Sequence, residues 1–164
     1  YIDCDKILDY LETGKRKLES KPTSPKPLKE KPAKLYLTLY SIPDDNEEYD
    51  KEYTHVFKIG FTQQSVTART TQNAKKIKLP EVSQSHFVLE KVDAQKNECE
   101  ILEYLRKQNN DFKNIINGNE TERFYCNMDK FILFENEINK FKYHLLKKNS
   151  EISTWNEFKK SIII

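Results

Sequence analysis

The sequence has no apolar run of membrane-spanning length and no signal-peptide pattern at its N-terminus. It also lacks an excess of charge of either sign, because 28 lysines and arginines stand against 26 aspartates and glutamates, for a formal net charge of +2. A nearly balanced charge gives no general argument for a nucleic-acid-binding surface. The composition therefore predicts a protein without a membrane segment, whose partners must be inferred from individual residues.

Cysteine is also scarce. The chain has three, an odd number without metal-site spacing: Cys4, Cys99 and Cys126. We expect reduced thiols, and therefore an intracellular protein of the cytoplasm or nucleus. The sequence begins with Tyr1, and we expect the natural protein to be longer.

Arginine is rare among the basic residues. Only four of the 28 are arginines: Arg16, Arg69, Arg106 and Arg123. Lysine would satisfy solubility alone, whereas the planar guanidinium fork of arginine suits contacts with phosphates and carboxylates. Each arginine is therefore a candidate for a specific contact.

The composition divides the chain into an amphipathic helix, a Lys/Pro-rich linker, a main domain and a helical tail, over residues 1–19, 20–33, 34–148 and 149–164. The first helix follows from Ile7, Leu8 and Leu11 at helical spacing. Prolines prevent a regular helix in the linker, whose lysines either stay solvated or contact a phosphate backbone. The N-terminal helix and the C-terminal tail are candidate contacts for a protein partner or for self-association.

A hairpin opens the main domain. In its first strand Leu35, Leu37 and Leu39 alternate with Tyr36, Thr38 and Tyr40, which places leucines and tyrosines on opposite faces. The second strand is His55–Thr62, where Gly60 allows a bend or a close approach. Ser65 then caps a helix that carries Arg69 in its first turns.

The second half contains a buried acidic position. A third strand is predicted at 85–92, followed by a helix capped by Asp93 and ending near Lys107. Glu98 completes the apolar stripe of this helix, whereas Glu100 and Glu103 are expected to face solvent. A carboxylate on the core side is costly unless it is paired or binds a metal.

The last elements complete the predicted fold. Residues 109–120 are predicted as a loop, 122–126 as a short strand, and the segment from about Asn127 as an amphipathic helix. We therefore predict a small α/β domain of the α+β type, with a central three-stranded antiparallel sheet flanked by helices.

These elements resemble the GIY-YIG nuclease superfamily over roughly residues 34–145. The matching positions are Tyr36 in L-Y-L, Ile59 and Gly60 in F-K-I-G-F-T, Arg69 in V-T-A-R, and Glu98 in K-N-E-C-E-I-L. The resemblance is to the K-I-G branch common in phages and large DNA viruses, whose later glutamate-aromatic-phenylalanine motif is approximated by Glu122, Arg123 and Phe124. Lys58 stands where other branches have their second tyrosine.

The resemblance implies a metal-dependent endonuclease that hydrolyses DNA phosphodiester bonds. Glu98 would hold Mg²⁺ or Mn²⁺, Lys58 and Arg69 would contact phosphate, and Tyr36 would accept a proton from water. For this Lys58 and Arg69 would have to lower the pKa of Tyr36 from its usual value near 10. The positions expected to contact substrate are Tyr40, Gly60, Thr62, Glu122 and Arg123.

Other interpretations remain open. The main alternative is a catalytically inactive nucleic-acid-binding or protein-interaction module on the same fold. Arg69 and Glu98 could form a structural salt bridge instead of a catalytic site. A histidine could add a base or a ligand, although a surface role is the ordinary one for each: His55, His86 and His144.

Overall fold

The computed structural model describes residues 32–147 and 151–162. This part of the chain contains five strands and four helices, in the order β1 (Ala33–Ser41), β2 (His55–Thr62), α1 (Val66–Ile77), β3 (Glu81–Leu89), α2 (Lys91–Lys107), β4 (Lys113–Asn117), β5 (Glu120–Cys126), α3 (Met128–Leu146) and α4 (Trp155–Ile162). The predicted N-terminal helix and nearly all of the predicted linker lie outside the described residues.

The strands form one antiparallel sheet in the order β3-β1-β2-β5-β4. The α+β class is confirmed, but the prediction of three strands is wrong. Two strands join the predicted three: β5, which was predicted as a short strand, and β4, whose short and polar sequence resembled a loop. Asn114 of β4 donates to the carbonyl oxygens of Thr121 and Arg123 on β5, at 3.0 and 2.9 Å. The side chain thus supports the strand pairing that hydrophobic alternation does not signal.

The two faces of the sheet carry the side chains predicted for β1. Leu35, Leu37 and Leu39 belong to the main core, which also contains aromatic side chains of α3 and α4, among them Phe131, Phe134, Phe141, Trp155 and Phe158. On the other face Tyr40 packs with Val56, Ile77 and Leu79 in a smaller cluster beneath α1. The sheet therefore separates α1 from α2, α3 and α4.

Two boundaries differ from the prediction. The third strand occupies Glu81–Leu89 rather than 85–92, because its polar first residues pair with β1 while their side chains stay exposed. Val92 consequently belongs to α2, which begins at Lys91 after Glu90, so Asp93 lies in the first turn instead of capping the helix. Edge strands with exposed side chains carry little of the hydrophobic pattern on which such predictions depend.

Helix α4 is fastened to α2 by two polar side chains. Asn97 accepts a hydrogen bond from the Trp155 backbone N–H at 2.9 Å, and Glu100 accepts one from the Asn156 N–H at 3.0 Å. The expectation that Glu100 faces solvent is wrong, because α4 covers that side of α2 and leaves Glu100 buried. The carboxylate instead satisfies a free N–H in the first turn of a helix.

Two further expectations can be compared with the structure. No helix among residues 32–147 and 151–162 is long and apolar enough to cross a membrane. Cys126 is a free, buried thiol, which confirms the expectation for that residue. The intracellular location stays a prediction.

Candidate functional site

A seam opens in the sheet between β2 and β5. Their pairing runs from His55 opposite Cys126 to Lys58 opposite Arg123 and ends there, whereas β2 continues its pairing with β1 to Thr62. Beyond the last pair the two strands are no longer joined by a ladder. Side chains from both faces of the sheet can therefore meet at this point.

A cavity of about 460 Å³ lies beside the seam. It is bounded by the end of β2, by α2 and by the β4–β5 hairpin, with Phe61, Glu98 and Glu122 in its lining. A cavity of this size is within the range of small-molecule and nucleotide sites. The carboxylates of Glu98 and Glu122 thus have access to a space that a ligand could occupy.

A series of hydrogen-bonded side chains lies on the α1 face of the seam. Lys58 Nζ donates to Asn73 Oδ1 at 3.2 Å, and Asn73 Nδ2 donates to Tyr36 Oη at 3.1 Å. Lys58 and Tyr36 share this face because Lys58 stands opposite Thr38, two residues along β1 from Tyr36. Asn73, on α1, was not predicted; its position four residues after Arg69 places it on the same helix face, which is the signal that could have found it.

Arg69, in the first turn of α1, extends this hydrogen-bonded series of side chains. Ser65 caps this helix as predicted, since its Oγ accepts the Ala68 N–H at 3.0 Å. The Arg69 guanidinium lies within hydrogen-bonding range of the Tyr36 hydroxyl and also donates to Gln72 at 3.4 Å. Among the described residues Arg69 forms no ion pair with Glu98, so the structural salt bridge considered from the sequence is not formed.

Glu122 connects the two faces of the seam. One of its oxygens lies 3.9 Å from Lys58 Nζ, and its carboxyl group is within hydrogen-bonding range of Glu98 on the α2 face. Glu98 is only 7% exposed, and its carboxyl group lies within hydrogen-bonding range of the Phe61 backbone N–H. Its second oxygen, Oε2, is buried without a hydrogen-bond partner. A continuous set of contacts therefore links Arg69, Tyr36 and Lys58 to Glu98.

Burial dominates the electrostatics of this site. Desolvation, together with the charge of Glu122, raises the pKa of Glu98 well above its usual value. Burial lowers the pKa of Lys58 and raises that of Tyr36. The expectation that cations lower the pKa of Tyr36 is wrong, because desolvation of a side chain only 2% exposed exceeds the opposing effects of Asn73 and Arg69.

Gly60 is required by the close approach of Tyr36. The two residues are directly opposite in the β1–β2 pairing. A Cβ atom at Gly60 would lie 2.5 Å from Tyr36 Oη and 2.6 Å from its Cζ. Gly60 therefore creates the space in which the tyrosine ring lies across the neighbouring strand.

The other predicted substrate contacts are buried. Tyr40 is fully buried in the cluster beneath α1, where burial raises its pKa to about 12. Thr62 is buried and accepts the Gln64 N–H at 3.1 Å. Arg123 is buried beside Lys58 and forms an ion pair with Glu120. None of these three side chains lines the cavity.

The histidines play no part in the network. The His55 ring is hydrogen-bonded to Thr54 Oγ1 at 2.7 Å, and the His144 ring packs 5.6 Å from that of Phe158. His86 is exposed, and its backbone carbonyl accepts from Lys142. Their ordinary surface or packing roles agree with the expectation from the sequence.

The donor set around Glu98 fits a hard divalent cation. No group of three or more His, Cys, Asp or Glu side chains converges in the described part of the chain. The carboxylates of Glu98 and Glu122 nevertheless lie together beside an open cavity, and the partnerless Oε2 of Glu98 needs either a proton or a cation. Mg²⁺ is commonly held by one or two carboxylates with water in the remaining positions.

Comparison of the chain with family models, with curated proteins and with solved structures returned no match. The roles of the site residues must therefore be inferred from their chemistry and geometry.

Proposed function

We propose that this protein is a divalent-metal-dependent endonuclease that hydrolyses DNA phosphodiester bonds at a GIY-YIG-like site. The observation that carries the proposal is the set of contacts from Arg69 and Tyr36, through Asn73 and Lys58, to the carboxylates at the seam. The positions that resemble the family motif are spread over four elements, and their connection through one set of contacts is not required by the hydrophobic core. A structural role for each residue separately would leave this connection unexplained.

Each residue has a chemical role in this proposal. Glu98 would hold Mg²⁺ or Mn²⁺, which when bound polarises a phosphate oxygen and assists departure of the 3′ oxygen. Arg69 would donate its planar fork to phosphate oxygens, and Lys58 would contribute a second positive charge. Tyr36 is proposed to take the proton of the attacking water. Because its pKa is raised in the free protein, proton transfer requires the phenolate to be stabilised when substrate and metal are bound.

Cleavage of supercoiled plasmid DNA tests this function. We expect nicking with Mg²⁺ or Mn²⁺, none with chelator, and a loss of at least about 100-fold in Glu98→Gln. The matched control is Glu103→Gln, which removes a carboxylate from the same helix at a position outside the cavity lining. This variant should cleave like the wild type. Absence of cleavage by the folded wild-type protein on plasmid, linear, branched and single-stranded DNA would reject the enzyme.

The alternative is an inactive nucleic-acid-binding or protein-interaction module. It is favoured by Lys58 in place of the second tyrosine and by the almost complete burial of Tyr36. Such a module would bind DNA or a protein without cleavage, and its DNA affinity would be the same in Glu98→Gln and in the wild type. Measuring binding and cleavage on the same DNA distinguishes the two functions.

A further inference from the structure

The two carboxyl groups at the seam lie in a geometry that needs a positive ion or a proton between them. Glu98 and Glu122 come from different elements, α2 and β5, yet their carboxyl groups are within hydrogen-bonding range of each other. Two carboxylates at this separation repel each other when both are charged. Lys58 lies 3.9 Å from Glu122 Oε2 and offsets only part of this charge.

Glu98 supplies the independent observation that points to a ligand. Its side chain is more than nine-tenths buried, it lines the cavity, and its Oε2 has no hydrogen-bond partner. The Phe61 backbone N–H lies within hydrogen-bonding range of this carboxyl group but leaves Oε2 without a partner. A buried, partnerless carboxylate oxygen is costly unless a ligand satisfies it.

A third oxygen faces the same space. Gln95 precedes Glu98 by three residues on α2, so the two side chains share one face of the helix. Gln95 also lines the cavity, and its Oε1 is buried without a hydrogen-bond partner. Carboxylate and amide oxygens are the donors that Mg²⁺, Mn²⁺ and Ca²⁺ prefer in proteins.

We propose that Glu98, Glu122 and Gln95 together bind one divalent cation at the seam, with water from the cavity completing its coordination. The inference rests on the proposed function and deepens it, because Glu122 and Gln95 become metal-binding residues beside Glu98. The site draws its two carboxylates from separate elements. Cation binding therefore fastens α2 to the β4–β5 hairpin across the open part of the sheet.

Binding of Mn²⁺ by the purified protein, followed by electron paramagnetic resonance in the absence of DNA, tests the site. We expect one bound Mn²⁺ in the wild type and an affinity at least about tenfold weaker in both Glu98→Gln and Glu122→Gln. Glu120→Gln, two residues away on β5 and outside the cavity lining, should bind like the wild type. Gln95→Leu should also weaken binding, and it carries the test if Glu122→Gln does not fold by circular dichroism.

Any outcome other than these overturns the inference. Wild-type affinity in Glu122→Gln, with loss only in Glu98→Gln, would assign the ion to Glu98 alone. Absence of Mn²⁺ binding by the wild type would reject the site. Failure of this inference can be distinguished from failure of the proposed function. If the wild type cleaves plasmid DNA with metal, but Glu122→Gln and Gln95→Leu bind Mn²⁺ with wild-type affinity, only the proposed set of ligands is rejected. If all three residues bind Mn²⁺ but the protein does not cleave DNA, only the nuclease function is rejected.

Discussion

Glu98 is held where its charge is disfavoured, which is expected to reduce the stability of the metal-free protein. The pKa of this carboxyl is raised in the folded state above its ordinary value of 4.5, chiefly by burial. The stability that neutral Glu98 contributes is therefore fully present below pH 4.5, the ordinary pKa of the carboxyl. It is lost as the pH rises through the pKa of the folded state. We expect Glu98→Gln, which stays neutral, to increase the free energy of unfolding at pH 8.

Urea denaturation with chelator present measures this effect. The difference between Glu98→Gln and the wild type should shrink towards zero near pH 4, where the carboxyl is protonated in both the folded and the unfolded chain. Glu103→Gln should stay within about 0.5 kcal/mol of the wild type at both pH values. A Glu98→Gln protein that is less stable than the wild type at pH 8 would show that the charged carboxylate stabilises the fold.

Gly60→Ala tests the space reserved for Tyr36. The new methyl group would collide with the tyrosine ring, and we expect a loss of about 1–3 kcal/mol in the free energy of unfolding. In a Tyr36→Leu background the same substitution should cost clearly less, because the colliding hydroxyl and Cζ are gone. An equal cost in both backgrounds would indicate that Gly60 serves the strand rather than the tyrosine.

At the scale of elements, the attachment of α4 to α2 is a specific polar contact rather than apolar packing alone. Asn97 accepts the Trp155 N–H and donates to the Ser153 carbonyl oxygen at 3.3 Å. We expect Asn97→Ala to lose about 2 kcal/mol in the free energy of unfolding, because buried groups at the start of α4 are left unpaired. Urea denaturation followed by the fluorescence of Trp155, the single tryptophan, measures the change.

The control for this prediction is Asn139→Ala, an exposed asparagine on α3. Its denaturation midpoint should stay close to that of the wild type, since alanine is a good helix former and no buried group loses a partner. An unchanged midpoint in Asn97→Ala would mean that the aromatic contacts of Trp155 and Phe158 are sufficient to hold α4 in place.

The strands show how far the sequence alone could predict the elements. Alternating leucines predicted the position of β1 and its division into a leucine face and a tyrosine face, and the β-rich run predicted β2. The edge strands β3 and β4 lack that pattern because most of their side chains stay exposed, so one was misplaced and the other missed. Their pairing depends on neighbouring strands, and this information is not local in the sequence.

At the scale of the whole molecule, the site is assembled from both faces of one sheet. Order and spacing along the chain led to the choice of Tyr36, Lys58, Arg69 and Glu98, and the structure connects these four residues through one set of contacts. Order and spacing were not sufficient to choose Asn73, because one amide on a polar helix has no distinctive local pattern. The direction of the Tyr36 pKa shift was also not predictable, since desolvation by burial is a tertiary effect.

The central claim is that groups from both faces act at one DNA-cleaving site, and single-turnover cleavage of plasmid DNA tests it most directly. We expect Arg69→Ala, from the α1 face, and Glu98→Gln, from the α2 face, each to slow cleavage at least about 100-fold. Lys75→Ala, which removes an exposed cation from the same helix as Arg69, should cleave within about threefold of the wild type, because exposed charges away from a site contribute little. Wild-type cleavage by folded Arg69→Ala would contradict the account, because the α1 side of the network would then have no part in the reaction.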